Sequence, residues 1–389
     1  MEKNNYSSLL NAGVIFIVTL LLSWQAAPVN AQPAEIPQKM VPYMLESGLH
    51  QGKPALGENA VLSYEAVVKS ENAPWLRLWF TDANLGDGSY LKIISVKDGH
   101  WQRLDAVSLE QWQYSSAYFN GDEVKIQLFV AGADRDIYFQ IDALTIGEPA
   151  TTGPLESQCG PVDDRIPSFD SRAGRLMSVG CTGWIIASGI QVTAGHCLSG
   201  GSGTVLEFNV PLSLPSGTVQ HPGPEDQYSV IPSSISFTNG GEGNDWGVFE
   251  VYDNSNTSLQ PIAAQGDAYI VAQSYLADSI RITGYGVDYD NGDYNQIQQT
   301  HMGPNAGSSG TTMRYVTDTE GGNSGSPIID NNTGFAVGVH THGGCTTSGS
   351  GFNKGTSTYH ADLWAHVSSA AQIPPQAPLS LVAYSDYTT

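Results

Sequence analysis

Between residues 60 and 147, hydrophobic and polar residues alternate in short runs. In "VKIQLFV", Val124, Ile126, Leu128 and Val130 fall on one face, the period-two spacing of a half-buried strand. The runs "VLSYEAVV", "WLRLWF", "YLKIISV" and "IYFQIDALTI" repeat the pattern, separated by the turn sequences "NLGDGS", "KDGH" and "FNGDE". No helical stretch of comparable length intervenes, so the pattern predicts an antiparallel β-sandwich. "GEPATTGPLESQ" lacks periodicity and is rich in Gly, Pro and Thr, which marks a linker over 148–158. From 159 to 372 the runs are strand-like again but richer in Gly, Ser, Thr and Asn. The helix predicted there is "STYHADLWAHVSSAAQ" (357–372), with Leu363, Val367 and Ala370 at helical spacing and Pro374 as a stop. Residues 373–389 read as a loosely held tail.

A chain of 389 residues is long enough for two units, each with its own core. Its first residues place Lys3 ahead of an apolar run from Ala12 to Leu22, then small residues ending at Ala31. This predicts a signal peptide over 1–31 and a first unit over 32–147, a propeptide or accessory domain; an uncleaved anchor is the alternative. The apolar run is shorter than the roughly 20 residues a bilayer span needs. Export to an oxidising compartment makes Cys159, Cys181, Cys197 and Cys345 candidates for two disulfides. The net charge of -22 opposes binding to nucleic acid or anionic membranes.

Three motifs carry candidate chemistry. "VTAGHC" supplies His196, "GNDWGVFEV" supplies Asp245 and "GGNSGSP" supplies Ser324. A serine hydroxyl is a poor nucleophile near neutral pH, so it needs an imidazole in hydrogen-bond reach and a carboxylate to fix that imidazole's tautomer. The glycines beside Ser324 let main-chain N–H groups approach a developing oxyanion, with the amides of Gly322 and Ser324 as donors. Asp226 and Asp253 are rival carboxylates and Ser326 a rival nucleophile.

In this order, "TAGHC", "NDWGV" and "GNSGSP" resemble the signatures of the chymotrypsin-like (trypsin-like) serine peptidases over roughly 159–372, nearest the bacterial glutamyl endopeptidase branch. The resemblance implies an all-β fold of two six-stranded β-barrels, here preceded by the antiparallel β-sandwich, and a triad of His196, Asp245 and Ser324. It implies a bridge between Cys181 and Cys197 in the histidine loop, leaving Cys159 for Cys345. It also implies a primary pocket formed by Asp318, Thr319, His340, Thr341 and Gly343, in which Thr319 and His340 meet a glutamate carboxylate.

Asp318 departs from that pattern, since the trypsin branch carries its substrate-binding aspartate six residues before the nucleophile. A buried carboxylate facing a substrate carboxylate is costly unless one is protonated or paired. The pattern as a whole favours cleavage after Glu or Asp; the alternative is cleavage after Arg or Lys through Asp318. "DDRIPS" offers Arg165-Ile166 as a zymogen processing site, yet Asn323 stands where an aspartate would pair with the new amine. "HTH" at 340–342 lacks a third metal ligand at diagnostic spacing, and "DYDNGDYN" (288–295) reads as a turn rather than a calcium loop. Trp75, Trp79, Trp101 and Trp112 read as core filling, with a sugar-binding platform as the alternative.

The expectation is therefore a secreted serine endopeptidase that acts as a monomer on protein or peptide substrates. It needs no cofactor and no metal, and has no nucleic-acid partner and no membrane contact once the leader is cut. An inactive peptidase-like binding or adhesion protein is the rival class; such proteins usually lack a triad residue, and none is lacking here.

Overall fold

The computed structural model describes residues 1, 34–54, 59–150, 153, 157–201, 204–275 and 277–369. The predicted leader and the tail over 373–389 lie outside the described residues.

Residues 38–147 form two four-stranded antiparallel sheets. In one, the strand order is Gln38–Glu46, Tyr138–Gly147, Trp75–Asn84, Phe119–Asn120. In the other it is Ala60–Lys69, Glu123–Ala131, Tyr90–Ser95, Trp101–Leu104. The alternation in Glu123–Ala131 has the expected result: Val124, Ile126, Leu128 and Val130 are buried in a core to which both sheets contribute. Trp75 and Trp112 are buried in that core. Trp79 donates its indole N–H to Thr145, and Lys92 covers the ring of Trp101. The tryptophans therefore form no shared exposed face. One short helix, Ala106–Gln111, interrupts the strands and starts at a capping box between Asp105 and Ser108.

The second half contains two seven-stranded antiparallel sheets. The later one closes: Ser279–Gly284 pairs with both Pro327–Asp330 and Gln299–Ser309, so six strands form a complete barrel. The seventh, Ile166–Pro167, is added at Gln299–Ser309. The earlier sheet runs from Gln227–Ser229 to Ser236–Asn239 as a half-barrel. The chain after Gln227–Ser229 meets the chain after Asp245–Phe249, the strand next to the far end, through one bridge, Val230 to Val251, flanked by the Ile231 amide on Glu250 and the Tyr252 amide on Ser229. The expected pair of six-stranded barrels is thus corrected to one closed barrel and one half-barrel. Here the ladder is short because irregular chain and 3-10 turns follow Gln227–Ser229 and precede Ser236–Asn239. The predicted helix begins later than its periodicity suggests, at Ala361, because Asn353–Ser357 is a strand; Leu363 and Val367 pack into the core of the half-barrel.

The two halves of the chain share buried contacts. Met177, Val205 and Val219 belong to the core of the first two sheets. Gln227 exchanges two hydrogen bonds with the main chain of Tyr118, at 2.9 and 2.8 Å. The His221 ring stacks on Tyr118, with centroids 4.7 Å apart, and meets the edge of Trp75. Behind it, Glu207 accepts from His221 at 2.8 Å and from Arg175 at 2.7 Å, and all three side chains are fully buried.

Candidate active site

His196 lies in the one-turn 3-10 segment Gly195–Cys197, directly after the strand Gln191–Thr193. Gly195 is required there, since a Cβ would lie 1.9 Å from the Thr238 carbonyl oxygen. A disulfide joins Cys197 to Cys181 and ties this turn to the strand Cys181–Ile185; the other disulfide is Cys159–Cys345. Asp245 opens the strand Asp245–Phe249 and is fully buried. Its amide donates to Thr356 Oγ1, and the same hydroxyl donates back to its carbonyl. Thr356 belongs to the closed barrel, so this pair of bonds joins the two sheets at the carboxylate.

Asp245 Oδ2 lies 2.6 Å from His196 Nδ1, and Oδ1 accepts the His196 amide at 3.0 Å. With the ring proton on Nδ1, Nε2 is left as an acceptor. Nε2 is buried and has no hydrogen-bond partner among the described residues.

Ser324 lies in the turn between Thr312–Tyr315 and Pro327–Asp330. Its carbonyl accepts from the Thr182 amide at 2.8 Å and lies 3.8 Å from the sulfur of Cys197, the residue after His196. Gly325 then donates to the His340 carbonyl, and a Cβ on Gly325 would collide with Thr182. These contacts hold the serine between the half-barrel and the barrel. No hydrogen bond joins Ser324 Oγ to His196 Nε2 among the described residues, and such bonds often tighten only when substrate binds. Gly322 and Ser324 likewise donate their amides to no group among the described residues.

The rivals lie elsewhere. Ser326 is fully buried against Gly284. Asp226 accepts from Asn209 and Gln265, and Asp253 accepts from Gln260.

Around the expected pocket, His340 is buried with Nδ1 2.6 Å from the Tyr315 hydroxyl. Burial, helped by the nearby imidazoles of His342 and His196, pushes its pKa down to about 3, so the ring is neutral at ordinary pH. Burial also lowers the pKa of His342, whose ring centroid is 6.5 Å from that of His196 and whose Nδ1 meets Thr341 Oγ1 at 2.8 Å. Thr319 Oγ1 lies 3.1 Å from Ser157 Oγ and accepts from Asn353 Nδ2 at 2.9 Å. Asn353 carries no motif signal, yet its amide group also reaches the carbonyls of Ser157 and Thr317.

Asp318 does not supply the free pocket charge that its sequence position suggested. It is buried, Oδ1 accepts the Cys159 amide at 2.6 Å, and Oδ2 accepts the Asp164 amide at 2.8 Å. The physical reason is that the segment entering the second half folds beside residues 317–320 and satisfies the carboxylate with main-chain donors. Arg165, offered by the sequence as a processing residue, is held inside the fold. Its side chain is 2% exposed and forms a fork with Asp163.

Two clusters have metal-compatible spacing. Cys181, His196 and Cys197 cannot ligate together because the sulfurs are bonded to each other. In the other, Asp164, His301 and Asp318, His301 Nδ1 accepts the Asp318 amide, and both Asp318 oxygens are engaged as described.

The sequence profile of the Trypsin family matches residues 166–361, half of the chain. The chain belongs to the trypsin family. It is similar to the glutamyl endopeptidase of Bacillus licheniformis, with 31% identity over 190 residues, 45% of this chain and 55% of that protein. This trypsin-family chain thus spans about half the length of the relative it matches. Among solved structures, it is similar to a Glu endopeptidase in complex with MPD at 20% identity, covering 55% of this chain and 99% of that one, with a TM-score of 0.43. A thermostable serine protease from an extremophilic microorganism matches at 14% identity, over 52% of this chain and 97% of that one, with a TM-score of 0.42.

Proposed function

We propose that this trypsin-family protein is a secreted serine endopeptidase that cleaves after Glu or Asp. The observation that carries the reading is the double hold of Asp245 on His196, beside a Ser324 turn in which the Gly322 and Ser324 amides lack acceptors among the described residues. His196 takes the proton of Ser324 as its oxygen bonds to the scissile carbonyl carbon, while Asp245 stabilises the imidazolium. The amides of Gly322 and Ser324 receive the oxyanion. His196 then protonates the leaving amine, the C–N bond breaks, and water deprotonated by His196 hydrolyses the acyl-enzyme.

A preference for acidic residues is supported by the neutral His340, by the engagement of both Asp318 oxygens, and by similarity to a glutamyl endopeptidase. Thr319, Thr341 and Gly343 complete the proposed pocket. The two four-stranded sheets are read as a β-sandwich accessory unit within 32–147, 148–158 as its linker and 159–372 as the peptidase unit, with a leader over 1–31. Export is supported by the two disulfides. Among the described residues no helix is long and apolar enough to cross a membrane.

A fluorophosphonate probe tests the chemistry: native protein should be labelled and Ser324→Ala should not. Equal labelling of both, or none of the native protein, would overturn it. Peptide-library profiling tests the preference, and cuts confined to Arg or Lys would hand the pocket to another group.

A further inference from the structure

Arg165 reaches the two sides of the loop that presents Gly322 and Ser324. Its Nη2 donates to the Val287 carbonyl at 2.8 Å, and its Nη1 to Asn323 Oδ1 at 3.3 Å. Asp163 holds the remaining edge of the guanidinium, with Nε 3.0 Å from Oδ1 and Nη2 2.6 Å from Oδ2. Gly286 is the only residue type that fits alongside, because a Cβ would collide with both Arg165 Nη1 and Asn323 Oδ1.

Two of the residues that the guanidinium touches, Val287 and Asn323, control peptide orientation in the loop. The Val287 amide holds the Gly321 carbonyl at 2.8 Å. In a planar trans peptide the N–H is antiparallel to the C=O, so the Gly322 amide faces the opposite way. Asn323 Oδ1 also accepts the Glu320 amide at 2.9 Å, closing the turn, and the Asn323 carbonyl accepts from Ser326. By the same geometry the Ser324 amide points away from that carbonyl. The guanidinium therefore fixes, at one end, the residue that orients the Gly322 amide and, at the other, the residue whose peptide carries the Ser324 amide.

We propose that Arg165 is a positioning residue: an internal, permanently charged donor that holds the oxyanion loop in its receiving conformation with the bond between Arg165 and Ile166 intact. A guanidinium is suited to this because it is planar and can address three acceptors at once, which an ammonium cannot do in one plane. The proposal rests on the serine endopeptidase reading above. It assigns an already assembled oxyanion site to the uncut 165–166 segment, in which Ile166 pairs with Thr300.

The test uses the full chain, with Arg165→Ala and Arg165→Lys compared per active site titrated by fluorophosphonate. Misplacing the donors should lower kcat by about 10²–10³-fold in Arg165→Ala, the range found on removing an oxyanion donor, with KM little changed. Methylguanidinium should restore part of that loss in Arg165→Ala and none in wild type. Arg165→Lys keeps the charge opposite Asp163 and serves if the alanine variant does not fold; its kcat should fall about tenfold. Three results would overturn the inference: a folded variant with unchanged kcat per site, a loss lying wholly in titre or KM, or N-terminal sequencing that finds activity only in material cut between 165 and 166. If wild type neither labels nor hydrolyses peptides, the endopeptidase reading fails instead.

Discussion

Asp245 holds His196 at two atoms, its side chain at 2.6 Å and its main chain at 3.0 Å. The first contact sets the tautomer and the second fixes where the ring's own backbone sits. In Asp245→Asn an amide group would face Nδ1, favouring the wrong tautomer. Peptide-ester kinetics should show kcat lower by about 10⁴-fold with an unchanged circular dichroism spectrum. A loss of less than about tenfold would mean that the carboxylate is not the orienting group.

Asp318 should govern stability rather than substrate choice. Asp318→Asn keeps an acceptor for one of the Cys159 and Asp164 amides but turns an NH2 donor toward the other, at a cost of about 1–3 kcal/mol in urea unfolding. Library cleavage should keep its preferred residue. A variant that lost cleavage after Arg or Lys would contradict this.

Glu207 is the counter-charge for Arg175, and both are fully buried. Replacing it with Gln leaves the guanidinium without its anion, and unfolding should be easier by about 3–5 kcal/mol. The first unit should loosen in the same variant, read as increased fluorescence quenching of Trp75, because His221 loses its partner beneath that ring.

Acid stability should respond to His340. Its folded pKa of about 3 lies below the ordinary value of 6.5, so between these limits the unfolded chain binds the proton and the folded chain does not. The contribution is complete above 6.5 and is lost as pH falls toward 3. Thermal midpoints measured from neutrality to about pH 4 should therefore fall less steeply in His340→Gln than in wild type. Parallel slopes would show that the imidazole titrates alike in both states.

The three motifs were legible because each is local: His196 and Ser324 sit in turns beside their glycines, as in Gly195-His196 and Gly322-Asn323-Ser324, and Asp245 opens an apolar strand. Strands with clean alternation, such as Glu123–Ala131, were equally plain. Gln38–Glu46 was not, since it is an edge strand with Pro42 before a register shift and Met40 and Met44 exposed. The direction of Asp318 was hidden for a different reason: its partners at 159 and 164 are distant in sequence, and only folding brings amide donors to it. The same holds for Arg165, whose contacts with Val287 and Asn323 join residues far apart in sequence.

Met177, Val205 and Val219 lie in one apolar interior with Trp75 and Phe119. A protease nick anywhere in 148–158 would therefore cut a tether without parting the pieces. Both fragments should co-elute in gel filtration at native pH and separate only in denaturant, so the fastening between the halves lies in this shared interior rather than in the covalent link.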